Sequence, residues 1–240
     1  MSIRSDKVRL TLKKAVSEII KIEHNFDYLV SVDSSDGLQF PNEKKISLKR
    51  KKILRYGENP HQGAALYDID LKQAKGVANS RQLAGKQLSY NNLVDADTAN
   101  ECVRSFCGPS CVIVKHANPC GVSESQTLKE AYEKAFSADP TSAFGGVIGL
   151  NRPVTKALAE LILSTQFLEV IVAPDYDEES LEIFSKKENV RVLKVSQNDR
   201  GANGDWELKT IGGGILVQEK DQAENEEVML AASEIVTTRS

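Results

Sequence analysis

Apolar residues return along this chain with two different periods, and the change of period divides it. Between residues 6 and 30, Val8, Leu12, Ala15, Val16, Ile19, Ile20 and Ile22 fall mostly three or four apart with lysines between them. That spacing predicts an amphipathic helix whose apolar stripe needs a partner. Residues 31–52 turn polar, and SVDSSDGLQFPNEKK supplies turn formers, so this stretch reads as a linker ahead of the main domain. From Cys111 the order becomes regular. CVIV is followed by TLKEAYEKAFSA, which puts Leu128, Ala131, Tyr132, Ala135 and Phe136 on one helical face. GVIGL comes next, and Pro153 marks the start of a helix carrying Leu158, Leu161 and Ile162. EVIVA, the helical DEESLEIFSKK and VRVLKV complete two further repeats. Short apolar runs alternating with amphipathic helices predict an α/β unit with a mostly parallel sheet flanked by helices.

In a sheet of that kind ligands bind in the crevice outside the carboxyl ends of the strands. The rule points to Lys115-His116 after CVIV, Asn151-Arg152 after GVIGL and Pro174-Asp175 after EVIVA. The pair Gly145-Gly146 lies where its strand begins, so the loop DPTSAFGG would itself approach a ligand.

Composition narrows the classes. With 240 residues, 40% of them hydrophobic and 27% charged, the chain holds enough apolar material for one sizeable core or two small ones, which argues against disorder throughout. Its 31 basic and 34 acidic residues are mostly interspersed and give a net charge of -3, so it lacks the footprint of a general nucleic-acid binder. The exception is KKISLKRKKILR, residues 44–55, which reads either as a phosphate-binding surface or, more simply, as a solvated connector with a short strand inside it. No apolar run approaches the roughly 18 to 20 residues that cross a bilayer, and MSIRSDKVRL lacks an apolar signal core. A cytoplasmic chain without membrane contact is expected. Cys102, Cys107, Cys111 and Cys120 are spaced C-x4-C-x3-C-x8-C, which matches no standard zinc pairing and no small disulfide scaffold. Buried free thiols and no metal site are expected.

Three clusters could carry chemistry: LRYGENPHQ (residues 54–62), VKHANPCG (114–121) and DPTSAFGG (139–146). A lysine at the end of a buried strand can point its ammonium at a phosphate, a carboxylate or a developing oxyanion, and a histidine can move a proton near neutral pH. Adjacent side chains on an extended segment point in opposite directions, so Lys115 and His116 need not share one role. Arg55 offers a planar fork to an anion, and Tyr56 adds a hydroxyl and a stacking face. Each cluster could equally be a tight connection. Neither G-x-x-x-x-G-K-[ST] nor G-x-G-x-x-G occurs, so neither a P-loop nor a dinucleotide fold is supported.

Together with LSYNNLVDAD (88–97), FLEVIVAP (167–174) and GGGILVQ (212–218), these clusters stand in one order and spacing. In that arrangement the chain resembles the bifunctional purine-biosynthesis family that joins phosphoribosylaminoimidazolecarboxamide formyltransferase to IMP cyclohydrolase. The resemblance runs over about residues 48–218 and lies in the formyltransferase part. It implies transfer of a formyl group from 10-formyltetrahydrofolate to 5-aminoimidazole-4-carboxamide ribonucleotide. It also implies a cytidine-deaminase-like subdomain, present twice in the family, and a homodimer with sites at its interface. Residue by residue, it makes Lys115 and His116 the catalytic pair, with His116 taking a proton from the attacking amine and Lys115 stabilising charge on the formyl oxygen. Arg55, Tyr56 and Asn92 match substrate-binding positions; Phe144 and Gly145 match a loop against the carboxamide base; Glu169 matches an acidic position near the ribose.

Family members are more than twice as long. The expected organisation is a remnant of the cyclohydrolase domain and linker over 1–47, the first formyltransferase subdomain over 48–222, and the start of a truncated segment over 223–240. On this reading the chain is a fragment holding half of a formyltransferase site, and its partner is the missing second half. The alternative is a non-catalytic nucleotide-binding or scaffold protein derived from that fold.

Overall fold

The structure is a computed structural model and describes residue 40 and residues 46–69, 76–196 and 206–219. The expected helix over 6–30 lies outside the described residues. The chain divides into two compact units, residues 1–197 and 198–240.

Within the first unit, β1 (Leu48–Ile53) and β2 (Ala65–Ile69) form an antiparallel ribbon. The basic run therefore does contain a short strand, and Lys51 is spent on Asp68 across the ribbon at 3.1 Å. A 3-10 turn at Val77–Asn79 leads to β3 (Arg81–Ala84) and α1 (Tyr90–Arg104). Then follow β4 (Ser110–Lys115), β5 (Asn118–Glu124), α2 (Leu128–Ala138) and the short α3 (Pro140–Ala143). The last part is β6 (Gly146–Leu150), α4 (Lys156–Thr165), β7 (Leu168–Ala173), α5 (Glu178–Ser185) and β8 (Arg191–Lys194). In the second unit, β9 (Trp206–Ile211) and β10 (Gly214–Glu219) pair antiparallel around Gly212-Gly213.

The main sheet has the order β3-β8-β7-β6-β4-β5. Only β6 with β7 and β7 with β8 run parallel; β3 with β8, β6 with β4 and β4 with β5 run antiparallel. The sheet is mixed, which corrects the expectation of a mostly parallel one. The cause is local. Lys115 pairs with Asn118, so His116 and Ala117 alone reverse the chain, and both have positive φ, 53° and 57°. Positive φ at both central residues defines the two-residue hairpin turn whose twist suits paired strands. After that reversal β5 returns alongside β4, and α2 carries the chain across β4 into β6, which runs against β4.

Alternation along the strands explains the core. Cys111 and Ile113 pack with Ala131, Tyr132 and Ala135 of α2, Leu158 and Ile162 of α4, and Phe184 of α5. Val112 and Val114, one residue out of step, pack with Ala96, Ala99 and Val103 of α1. The sheet is thus buried on both faces, which is why its central strands read as continuous apolar runs. Helix α1 lies close enough to β6 that a Cβ on Gly149 would meet the Ala99 carbonyl oxygen at 2.7 Å.

Pro153 does not open α4. Val154 is held to the next strand loop, its N–H donating to the Asp175 carbonyl at 2.9 Å and its carbonyl accepting from Asp177 at 3.1 Å. The helix begins two residues later, where Lys156 N–H donates to the Asp177 carboxylate at 3.0 Å. The cysteines are free, as expected, but only Cys111 is buried; Cys102 and Cys120 are half-buried and Cys107 is exposed.

Candidate active site

Because β6 opposes β4, the carboxyl end of β4 meets the amino ends of β6 and β7: Val114 pairs with Val147, and Val147 with Val170. Lys115-His116 therefore share an edge with Phe144-Gly145 and Glu169. Asn151-Arg152 and Pro174-Asp175 lie at the opposite edge. The carboxyl ends of β6 and β7 therefore lie at the edge opposite that of β4, since the hairpin turned those strands over.

Lys115 is half-buried and its Nζ donates to the Phe144 carbonyl at 2.8 Å. An ammonium has three donors, so this bond holds the head group in place and leaves donors for a ligand. His116 is exposed at the turn, and its carbonyl accepts from the Asn118 side chain at 2.7 Å. A left-handed conformation costs a non-glycine residue about 1–2 kcal/mol. The Ala117 N–H donates to an Asp95 carboxylate oxygen of α1 at 2.7 Å, and a hydrogen bond to a charged group contributes about 1.5–3 kcal/mol, the same order. Asp95 was not among the residues singled out in the sequence.

Gly145 has φ 72°, a conformation glycine adopts without penalty, and its N–H donates to the Phe167 carbonyl at 2.8 Å. The turn leaves Phe144 61% exposed and Phe167 43% exposed, with ring centroids 5.6 Å apart. A pair of half-wet aromatic rings beside a tethered ammonium is a surface suited to a planar, polar heterocycle. Phe167 is the second residue that sequence reasoning passed over, although its motif FLEVIVAP was in view.

Glu169 occupies a bulge in β7: Gly146 pairs with Leu168 and Val147 with Val170, leaving Glu169 between them. Bulges re-aim a side chain, and this one reaches the Asn92 amide, which donates to Glu169 Oε2 at 2.9 Å. Asn92 also completes a capping box. Its Oδ1 accepts from Ser89 N–H at 3.1 Å while Ser89 Oγ accepts from Asn92 N–H at 3.2 Å. Asn92 is buried, so its amide is spent on the helix start and on Glu169. Arg55 and Tyr56 dock on the same helix start: Arg55 N–H donates to the Leu88 carbonyl, and Tyr90 N–H to the Tyr56 carbonyl, both at 3.0 Å. Arg55 is exposed, its guanidinium carbon 5.4 Å from the Tyr56 ring centroid.

Two titrating groups nearby show the local field. Burial pushes the Cys120 thiol up, Asp139 adds to the rise, and Lys115 opposes it. The Ser142 hydroxyl and N–H hold the Asp139 carboxyl below the usual carboxylate range. Among the described residues no group of three or more His, Cys, Asp or Glu side chains is placed to hold a metal ion, and no helix is long and apolar enough to cross a membrane.

These features define a mixed α/β unit in which a tethered ammonium and an exposed histidine turn share one sheet edge with two aromatic rings and an oriented carboxylate. Residues 7–240 match the family model described as the AICARFT/IMPCHase bienzyme, and the chain belongs to that family. It is 50% identical over 183 residues to the bifunctional purine biosynthesis protein PurH of Xylella fastidiosa (strain 9a5c), covering 76% of this chain and 34% of the relative. The chain thus spans about a third of that relative's length.

Proposed function

We propose that this chain contributes the Lys115-His116 half of a formyltransferase site, acting on 5-aminoimidazole-4-carboxamide ribonucleotide in purine biosynthesis. 10-Formyltetrahydrofolate would supply the one-carbon unit. The observation that carries the reading is the Lys115 ammonium tethered to the Phe144 carbonyl, on the same turn as an exposed imidazole and beside the Phe144-Phe167 pair. In the reaction a bond forms between the substrate's 5-amino nitrogen and the formyl carbon, the bond from that carbon to the folate nitrogen breaks, and one proton passes from the amine to that nitrogen. His116 takes the amine proton, and Lys115 uses its remaining donors on the formyl oxygen as charge collects there. Arg55 serves the ribonucleotide phosphate, and Glu169, fixed by Asn92, serves the ribose hydroxyls. The unit is read as the first of the family's two cytidine-deaminase-like subdomains, and the site as completed by the second subdomain and by a homodimeric partner.

The test pairs two measurements. Calorimetric titration of the ribonucleotide into the chain should show binding that Arg55→Ala weakens. Formyl transfer should appear when the chain is mixed with the remaining formyltransferase segment of the Xylella relative, and should vanish with His116→Ala. Binding without any such complementation would favour a nucleotide-binding protein without catalysis; no binding at all would sink both readings.

A further inference from the structure

We propose that Asp95 is a positioning residue for the Lys115-His116 turn, acting through its hydrogen bond to Ala117. The inference rests on the formyl-transfer reading for its purpose, although its geometry stands alone.

Two-residue hairpin turns that need positive φ at both central positions usually carry Asn-Gly or Asp-Gly, which adopt it cheaply. Here the two positions are His116 and Ala117, at φ 53° and 57°, and neither has glycine's freedom. Within the hairpin the Asn118 amide donates to the His116 carbonyl at 2.7 Å, and from outside it the Asp95 carboxylate accepts the Ala117 N–H at 2.7 Å. Asp95 stands on α1 one turn after Asn92, so the two side chains fall on one side of that helix. Asn92 fixes Glu169 in the β7 bulge while Asp95 fixes the backbone of the β4-β5 turn. One helix therefore sets the separation of the acidic residue and the Lys-His pair, which come from strands far apart in sequence. Helix α1 is in turn seated by its own apolar residues Ala96, Ala99 and Val103 against the sheet. Relaxation of the turn would move His116 and, through Lys115, the Phe144 carbonyl contact, without removing any group that touches substrate.

The experiment uses the whole 240-residue chain and three variants, Asp95→Ala, Asp95→Asn and the double variant Asp95→Ala with Ala117→Gly. Amide hydrogen exchange followed by NMR reads the turn directly. Asp95→Ala should speed exchange at Ala117 at least tenfold while amides of β6 and β7 keep their wild-type rates. Asp95→Asn, which keeps the acceptor oxygen, should restore most of the protection. In the complemented formyl-transfer assay, Asp95→Ala should lower kcat about tenfold with KM nearly unchanged. The double variant should recover part of that loss, because glycine adopts the turn unaided. Unchanged exchange at Ala117 in Asp95→Ala would overturn the proposal. So would an Asp95→Asn variant as unprotected as Asp95→Ala. A global loss of protection would signal unfolding, and in that event the Asn variant alone decides: protected Ala117 supports the proposal, and exposed Ala117 overturns it. The exchange results need no substrate, so failure of the formyl-transfer reading leaves them standing and is seen separately as absent activity in the wild type.

Discussion

The two edges of the main sheet are built from the same kinds of residue and treat their polar groups oppositely. At the edge where β6 and β7 end, the side chains close on the protein itself. Asn151 accepts from Ser110 N–H at 2.8 Å and donates to the carbonyls of Gly108 and Phe106. Arg152 gives its guanidinium to the carbonyls of Asn151 and Cys107. Tyr176 donates to the carbonyls of Ile171 and Leu193, and Asp175 pairs with Lys194 at 2.6 Å. At the edge where β4 ends, the partners serve to aim groups outward: Lys115 is tethered by one donor, Glu169 is bulged and braced, and two phenyl rings stay in water. Where polar groups answer one another the edge is structural. Where they are held but left partly unanswered, as around Lys115, donors remain open to a ligand.

Substitutions at each edge should therefore part cleanly into losses of activity and losses of stability. The largest effect belongs to the β4 edge: in the complemented assay, His116→Ala should lower kcat by about 10²–10⁴ and Lys115→Ala by about 10²–10³, with thermal unfolding close to wild type. A melting temperature that fell in step with activity would erase the contrast. At the other edge, Asn151→Ala strips the acceptor from the buried Ser110 N–H, which costs about 1–3 kcal/mol, and it should leave ligand binding unchanged. Denaturant titration alongside calorimetry checks both halves of that statement. Asn92 belongs to both classes. Asn92→Ala removes the acceptor of the buried Ser89 N–H, which costs about 1–3 kcal/mol, while the Ser89 hydroxyl keeps its bond to the residue-92 N–H; it also frees Glu169, so it should weaken ribonucleotide binding as well as stability.

The smallest effect is one of pH. The hydrogen bond from Lys194 holds the Asp175 carboxyl below the usual carboxylate range, with Tyr176 N–H adding to it. A carboxyl whose folded pKa lies below its unfolded value of about 3.9 stabilises the fold above that pH and loses the contribution as pH falls through the lowered value. The melting temperature of wild type should exceed that of Asp175→Asn at neutral pH, and the gap should close in acid. Because the pair is exposed, the gap should also shrink in high salt. A gap that widened in acid would reverse the assigned sign.

Elements with an apolar period were legible in the sequence. α2 follows from Leu128, Ala131, Tyr132, Ala135 and Phe136, and β6, β7 and β8 from their unbroken apolar runs. Helix α1 was not, because the face it buries is Asn92, Ala96, Ala99, Asn100 and Val103, small or polar residues that give no stripe. Strand β5 was hidden by Pro119 and by a turn, His116-Ala117, that lacks the usual Asn-Gly signal. Missing that one reversal made the sheet look parallel and placed Asn151 and Asp175 on the wrong edge. The site residues named through the family resemblance are brought to one edge, but the roles of Asn92 and Asp95 as braces depend on the packing angle of α1, which no local pattern carries.

Strand β5 forms the outer border of the sheet, and Pro119 supplies no N–H there, while the register breaks at Cys120 where Gly121 pairs with Ile113 and Pro119 with Val114. An incoming chain seeking to extend the sheet meets an interrupted row of donors instead of a regular template. The irregular return strand of the Lys-His hairpin thus also makes this border a poor template for growth into aggregates.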